Sequence, residues 1–308
     1  MTFNRVALLS NPNSGRGLAG IAAAEASRVF ARSGVSVLNL QGANEQAALK
    51  LAQDTIDSAD IDALVVCGGD GLINVGINAV AGTNVSLGLL PAGTGNDHAR
   101  AFGIPTFPTR AAEVILAGHT TAVDVGRASN EQGFSRLFGT IGCLGFDSLV
   151  TQRAEKMRWP KGQYRYSMAA ARELMAFRAH PCEMILDGVH YSLPVSLVAV
   201  GNTPFYGGGM AMCPHADPTD GLFDITVLHD MGRIQAVRRF HKVFTGDVTT
   251  DDMVDAFSAR VVELHMPGIR SYADGEQFCD TPVRFECLSG HVQLITPADF
   301  DPANIVNR

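Results

Sequence analysis

The sequence predicts an α/β protein in two parts, an N-terminal doubly wound parallel sheet and a β-rich, largely antiparallel second half. Three observations carry this. The 308 residues exceed the usual size for one hydrophobic core. Up to residue 121, short apolar runs alternate with helix-length stretches, the pattern that gives parallel pairing. After residue 121 the apolar runs follow one another with few helical stretches between them. The expected domains are therefore 1–121 and 122–296, with the tail 297–308 a candidate to pack back on the first.

Each element follows from local signals. The apolar run 6–10 ends at Asn11-Pro12-Asn13-Ser14-Gly15-Arg16-Gly17, and an alanine-rich helix is expected over 18–32, closed by Gly34. A strand at 35–40, a helix at 45–56 and a strand at 63–67 come next. Gly68-Gly69-Asp70-Gly71 then turns into a helix running to residue 80, and a strand at 86–90 ends at Pro91-Ala92-Gly93-Thr94-Gly95-Asn96-Asp97. In the second half strands are expected at 138–143, 183–186, 193–200, 223–228, 261–266, 283–287 and 292–296, and helices at 164–178 and 234–244. Asp187-Gly188 is a hairpin signal.

Composition excludes several classes. A formal net charge of −7 gives no global attraction to nucleic acid or to an anionic membrane. The opening MTFNRVALLS is too short an apolar run for a secretory signal. No stretch approaches the roughly 18 uncharged apolar residues of a membrane span. A cytoplasmic protein without a transmembrane segment is expected. The six cysteines are scattered and read as free thiols in a reducing compartment. His98, His119, His180, His215, His229 and His241 show no metal-ligand spacing. Arg153, Lys156, Arg158, Lys161 and Arg165, interleaved with Met157, Trp159, Tyr164 and Tyr166, read either as a solvated surface or as a lip that meets lipid headgroups.

The chemistry sits at strand ends. Parallel pairing puts all three glycine-rich segments on one rim, the carboxyl ends of the strands, where such sheets bind ligands. Asn11 to Gly17 offers backbone N–H groups and a hydroxyl at a helix start, which suits a phosphate. It is not a Walker loop, since no Gly-Lys-Ser/Thr follows. Gly68 and Gly69 let a nucleotide approach the backbone, and the Asp70 carboxylate can meet a metal-associated water or orient a group beside the phosphates. Thr94, Gly95, Asn96 and Asp97 again place donors and one acid before a helix. Each segment alone also reads as an ordinary turn or N-cap. Their convergence points to a nucleotide site.

In this order and spacing, the three segments resemble the diacylglycerol kinase catalytic-domain family, which includes sphingosine and ceramide kinases and bacterial lipid kinases. The resemblance covers essentially the whole chain. Val123-Asp124-Val125-Gly126, Asn202 onward, Asp220-Gly221-Leu222-Phe223-Asp224 and Asp274-Gly275-Glu276 also fit it. It implies a β-sandwich-like second domain, with ATP in the cleft between the domains. Asn11, Pro12, Asn13, Ser14, Gly15, Gly68, Gly69, Asp70, Gly71, Leu72, Ile73, Asn74 and Thr94 would line the nucleotide, and Gln41 is the best match to a family threonine that contacts ATP. Glu276 would be the general base for a lipid hydroxyl, and Asp274 would help to place the acceptor or a catalytic magnesium. A structural Mg2+ would be held by the carbonyls of Asp217 and Leu222 and the carboxylate of Asp220.

Elementary chemistry agrees with a carboxylate base, because an alcohol has a pKa far above 7 and its attack on phosphorus benefits from a proton acceptor. Read alone, Asp220-Gly221 and Asp274-Gly275 are hairpin-turn dipeptides. Three positions depart from the family pattern: Leu72 replaces a common threonine, Asn13 a frequent basic residue, and Gln41 the threonine just mentioned. The expected function is transfer of the ATP γ-phosphate to a lipid hydroxyl, diacylglycerol foremost, by reversible peripheral contact with a membrane, with homodimerisation left open. The alternatives are a kinase of a soluble acceptor such as NAD, and a non-catalytic nucleotide-binding regulator.

Overall fold

The structure, a computed structural model, describes residues 3–11, 17–145, 179–230, 232–239 and 241–306. Four parallel strands build the first half: β1 (Arg5–Ser10), β2 (Ser36–Leu40), β3 (Ala63–Gly68) and β4 (Ser86–Pro91). They lie in the order β4-β3-β1-β2. Every residue of β3 and β4 is buried, as two covered faces require. The cover comes from α1 (Leu18–Arg32), α2 (Glu45–Ser58), α3 (Asp70–Val80), α4 (Asp97–Ala101) and α5 (Pro108–Ala117). α1 packs with α5, and α2 with α3. The helix expected after the third glycine-rich segment is α4, whereas the sequence reading had no element at 108–117, although Pro108 in the first turn and Gly118, at φ 67°, bracket α5.

The second half is antiparallel and β-sandwich-like. It comprises β5 (Thr120–Ser129), β6 (Ser135–Phe138), β7 (Ile141–Gly145), β8 (His180–Leu186), β9 (Val189–Gly201), β10 (Phe205–Tyr206), β11 (Met210–Ala211), β12 (Phe223–His229), β13 (Val254–Ala259), β14 (Val261–His265), β15 (Arg270–Ala273), β16 (Glu276–Asp280) and β17 (Val283–Ile295). Its core stacks Phe138 against Phe223 at 5.7 Å and sets Phe285 edge-on to Phe138 at 5.6 Å.

β5 and β17 join the two halves. Thr120–Val123 pair with Val292–Ile295, and Leu294 also pairs in parallel with Leu87 of β4. Farther along, Val125–Ser129 pair with Arg284–Leu288. Val123 and Leu294 therefore belong to the first core, whereas Ala128 and Phe285 belong to the second. Phe300 then lies on Phe102, with ring centroids 5.6 Å apart.

Three expectations change. The strand expected at 138–143 is two, β6 and β7, because Gly139 and Thr140 turn their N–H groups to the Asp274 carboxylate instead of a neighbouring strand. The strands expected at 283–287 and 292–296 are one strand, β17, with an irregularity between Leu288 and Val292 where Gly290 has φ 59°. The helix expected at 234–244 is divided into Arg233–Arg239 and Lys242–Thr245. The helix expected at 164–178 lies outside the described residues.

Candidate active site

The second and third glycine-rich segments touch backbone to backbone. Ala92 N–H donates to the Gly68 carbonyl at 2.8 Å, and a Cβ on Gly93 would stand 2.5 Å from Gly69 Cα. Any side chain at Gly93 would drive the segments apart. Asn96, itself left-handed at φ 52°, closes the third loop by accepting from Gly93 N–H at 2.9 Å and donating to its carbonyl at 3.1 Å. Asn11 follows Ser10, which is paired with Cys67, so the first segment starts on the same rim. Pro12, Asn13, Ser14 and Gly15 lie outside the described residues.

A cavity of 190 Å³ opens here, lined by Asn11, Gly42, Asn44, Glu45, Gly71 and Leu72 among others. Gln41 is exposed and does not line it; Gly42 does. Leu72 and Ile73 N–H groups donate to the Gly69 carbonyl, leaving those of Asp70 and Gly71 at the start of α3 without a helical acceptor. The Ile73 side chain is fully buried in the first core, which leaves its backbone as the part on the rim. Thr94 is exposed on the rim, and Gly95 sits beside Asp70, whose Oδ2 would be 3.1 Å from a Cβ there. A larger hollow of 840 Å³ between α2 and α3, near Lys50 and Asp54, contains none of the candidate residues.

The acids gather around a histidine. Asp70 Oδ1 accepts from His98 Nδ1 at 3.1 Å and from His98 N at 3.2 Å. Asp97 Oδ2 accepts from Gly208 N at 2.8 Å, while its buried Oδ1 has no hydrogen-bond partner among the described residues and lies 3.9 Å from Arg100 Nε. Burial pushes the Asp97 carboxyl up; the Gly208 N–H opposes this and the Asp70 charge adds to it. Burial also works against the charge of Asp70, but the His98 ring bond and charge bring it below the usual carboxylate value. His98 in turn is raised above the usual histidine value, since the Asp70 bond and the Asp274, Asp70 and Asp97 charges outweigh its burial.

Asp274, left-handed at φ 49°, buries its carboxylate under four donors. Oδ1 accepts from Thr140 N at 2.8 Å and Thr140 Oγ1 at 2.6 Å; Oδ2 accepts from Gly139 N at 2.9 Å and Asn74 Nδ2 at 2.6 Å. With its lone-pair positions filled, Asp274 has no room for a magnesium in this geometry and acts as an anchor. Its neighbour Glu276 is 40% exposed; Oε2 pairs with Arg136 at 2.6 Å, and Oε1 would lie 3.5 Å from a Cβ on Gly71. Arg136 also meets Glu45 at 2.9 Å and Asn74 Oδ1 at 3.1 Å.

The suggested magnesium segment lies around Asp124. The Asp124 carboxylate takes Gly221 N–H and Gly290 N–H, each at 2.6 Å, and its own N–H donates to Pro218 O at 2.7 Å. Asp217 Oδ1 takes Thr219 N and Oγ1, and Asp220 Oδ1 takes Leu222 N. Burial and then the Asp220 charge push nearby Asp224 up to about 6. Burial also raises Asp220, against the Leu222 N–H, with Asp217 and Asp124 adding to it. Among the described residues none of these four acids forms an ion pair, so an oxygen-seeking cation fits the charge. Among the described residues no three His, Cys, Asp or Glu side chains are arranged to hold a metal, so the donors would include main-chain carbonyls and water. Asn202 Nδ2 ties this segment to the acid cluster by donating to Asp124 O at 2.9 Å and Gly139 O at 3.0 Å.

Sequence reasoning missed His98, Arg136 and the organising role of Asp124. His98 directly follows Asn96-Asp97 and could have been flagged by that position. Arg136 gave no signal, because its partners come from distant segments.

Residues 5–128 match the family described as the diacylglycerol kinase catalytic domain, and residues 140–296 the YegS C-terminal NAD kinase beta sandwich-like domain. A diacylglycerol kinase of Mycobacterium tuberculosis is 39% identical over 297 residues, covering 96% of each chain. A diacylglycerol kinase of Bacillus subtilis is 26% identical over 96% of this chain and 98% of its own. The crystal structure of a diacylglycerol kinase from Bacillus anthracis shares the fold with a TM-score of 0.79, at 24% identity, over 97% of this chain and 99% of that one.

Proposed function

The chain belongs to the diacylglycerol kinase family of lipid kinases, and from that premise we propose that it transfers the γ-phosphate of ATP to the free hydroxyl of a diacylglycerol, giving phosphatidate. One observation supports this above the others: Glu276 Oε1, from the second half, lies against Gly71 at the start of α3. A proton acceptor thus stands beside a helix N-terminus suited to phosphate.

In this reading Asn11 to Gly15, Gly68 to Asn74 and Thr94 to Asp97 hold the nucleotide, with the free Asp70 and Gly71 N–H groups turned to its phosphates. Leu72 keeps only its apolar side chain where the family often has a hydroxyl, and lines the cavity. Glu276 takes the proton of the lipid hydroxyl as it attacks phosphorus. Arg136 holds Oε2 and so turns Oε1 toward the reacting groups. A magnesium bound with the nucleotide would offset charge on the phosphoryl oxygens. A second, structural magnesium is assigned to Asp217, Asp220 and Leu222. We assign residues 1–121 to the nucleotide domain and 122–296 to the acceptor domain, save Val123 and the β17 end Val292–Ile295, whose side chains lie in the first core.

Among the described residues no helix is long and apolar enough to cross a bilayer. The substrate being a membrane lipid, we assign its encounter to a membrane surface, by reversible contact from the cytoplasmic side. Arg153, Lys156, Arg158 and Lys161, assigned to that contact, lie outside the described residues. Purified protein with labelled ATP and a panel of diacylglycerol, sphingosine, ceramide and NAD tests the reading. Label in phosphatidate is expected, and label in NAD alone, or in nothing, overturns it.

A further inference from the structure

We propose that His98 is a positioning residue for phosphoryl transfer, holding Asp70 so that one carboxylate oxygen is occupied and the other is presented to the nucleotide. The proposal rests on the kinase reading above.

His98 is 1% exposed, so its ring has no solvent to satisfy it. Asp70 Oδ1 receives two bonds from this single residue, the ring Nδ1 at 3.1 Å and the backbone N at 3.2 Å. A carboxylate only accepts, so Nδ1 carries the proton. Both donors end on Oδ1 and fix the place of that oxygen, and a backbone bond from Asn96 adds to the hold on the carboxylate. Asp70 Oδ2 is left on the Gly95 side, toward the rim where the glycine-rich segments meet.

The other end of the ring is also built. Nε2 points at Asp274 Oδ2, 3.7 Å away, and has no hydrogen-bond partner among the described residues. A Cβ on Gly139 would stand 2.6 Å from Nε2, so the ring's space exists because residue 139 is glycine. The same Gly139 donates its N–H to Asp274 Oδ2. The imidazole is thus seated between a carboxylate of the nucleotide half and the anchor of the Asp-Gly-Glu turn that carries Glu276. A histidine that merely filled the core would not need carboxylates at both ends, because burying charged groups is costly unless they are matched. What the arrangement gains is a fixed relation between Asp70 and the turn bearing the base.

The test compares three substitutions. Asn at 98 can put its amide nitrogen near the Nδ1 position, Gln can put its own near Nε2, and Phe keeps ring volume without either donor. His98→Phe is expected to lower kcat for diacylglycerol phosphorylation by about tenfold to a hundredfold, the scale of losses from misplaced reacting groups. KM for ATP should stay within about threefold. His98→Asn should recover much of the loss and His98→Gln little of it. A His98→Phe kcat within threefold of wild type, or equal rescue by Asn and Gln, overturns the proposal. Should His98→Phe fail to fold, the Asn and Gln variants carry the comparison. A double-mutant cycle of His98→Asn with Asp70→Asn, read by thermal unfolding, needs no activity. Non-additive shifts are expected, and additive shifts overturn the proposal. A wild type that phosphorylates no lipid would defeat the kinase reading, while the cycle would still judge the His98–Asp70 link.

Discussion

Asn74 Nδ2 donates to Asp274 Oδ2 at 2.6 Å, joining the helix that follows the second glycine-rich segment to the turn that carries Glu276. The other end of the same amide accepts from Arg136, which pairs with Glu276. One buried side chain therefore fixes both the anchor and the partner of the candidate base. Asn74→Leu would leave Asp274 and Arg136 short of a partner. The expected loss is about 1–3 kcal/mol, the usual cost of stranding a buried polar group. A denaturant midpoint unchanged from wild type would show that water replaces the amide.

The contact between Gly69 and Gly93 makes a sharper prediction about nucleotide binding. Gly93→Ala places a methyl 2.5 Å from Gly69 Cα, against backbone that cannot rotate away. The two strand ends must separate, and the N–H groups proposed to meet the phosphates move with them. ATP affinity measured by calorimetry should fall by about tenfold or more, the effect of roughly 1.4 kcal/mol. Unchanged affinity in a folded variant would remove this rim from the site.

How far the sequence revealed this depends on whether a feature is local. The strand ends were legible to within one residue, expected at Ser10, Cys67 and Leu90 and found at Ser10, Gly68 and Pro91, because five-residue apolar runs and glycine-rich breaks are short-range signals. The split at Gly139-Thr140 was not, because Asp274, far along the chain, draws those N–H groups out of strand pairing. Arg136 was passed over for the same reason, since Asn74 and Glu276 meet it only once the halves are packed, and His98 because its bond to Asp70 spans two loops of the first half. The continuous β17 was read as two strands, since its polar stretch at Ser289-Gly290-His291 looks like a loop until Asp124 accepts the Gly290 N–H.

Acid should expose a second brace. Burial opposes the charge of Asp251, but the Lys242 ammonium at 2.9 Å, the Met253 N–H and Arg239 bring its carboxyl down to about 2. The folded value lies below the roughly 3.9 of an unfolded aspartate. Its stabilisation is therefore present above that value and is lost as pH falls through about 2. The helix Lys242–Thr245 held by this clamp packs on β11, whose hairpin with β10 carries Gly208 to Asp97. Asp251→Asn should be less stable than wild type at pH 7, with the gap in unfolding midpoint closing between about pH 4 and pH 2. A gap that is constant with pH would assign the loss to packing.

Removing divalent metal tests the acid cluster around Asp124. Chelation should lower the wild-type melting temperature, and Asp220→Ala should lower it without further response to chelator. If chelation leaves the wild-type melting temperature unmoved, the structural magnesium assigned to Asp217, Asp220 and Leu222 is wrong. The unpaired charge would then be borne by the N–H groups of Gly221, Leu222 and Gly290 alone.

Glu276 carries the last prediction, on which the chemistry turns. Its turn follows Asp274, whose four hydrogen bonds fix the backbone, so the carboxylate is presented from a rigid point. Arg136 takes Oε2, leaving Oε1 by Gly71 as the oxygen able to receive a proton. Gln at 276 keeps the length and can still meet Arg136 through its carbonyl, but it cannot take the proton. Glu276→Gln should therefore fold and bind ATP nearly as wild type while turnover falls about 10²–10⁴-fold, the usual worth of a positioned base. Arg136→Met leaves the carboxylate in place but frees its rotation, so a smaller loss of kcat is expected. The order of the two effects matters more than either alone. Were Arg136→Met to cost more than Glu276→Gln, the guanidinium would be acting on the phosphoryl group itself. Lipid phosphorylation by Glu276→Gln within a few-fold of wild type at saturating ATP would pass the proton to another acid. Asp70 is the first choice, since its Oδ2 lies by Gly95 on the rim while every position on Asp274 is already filled.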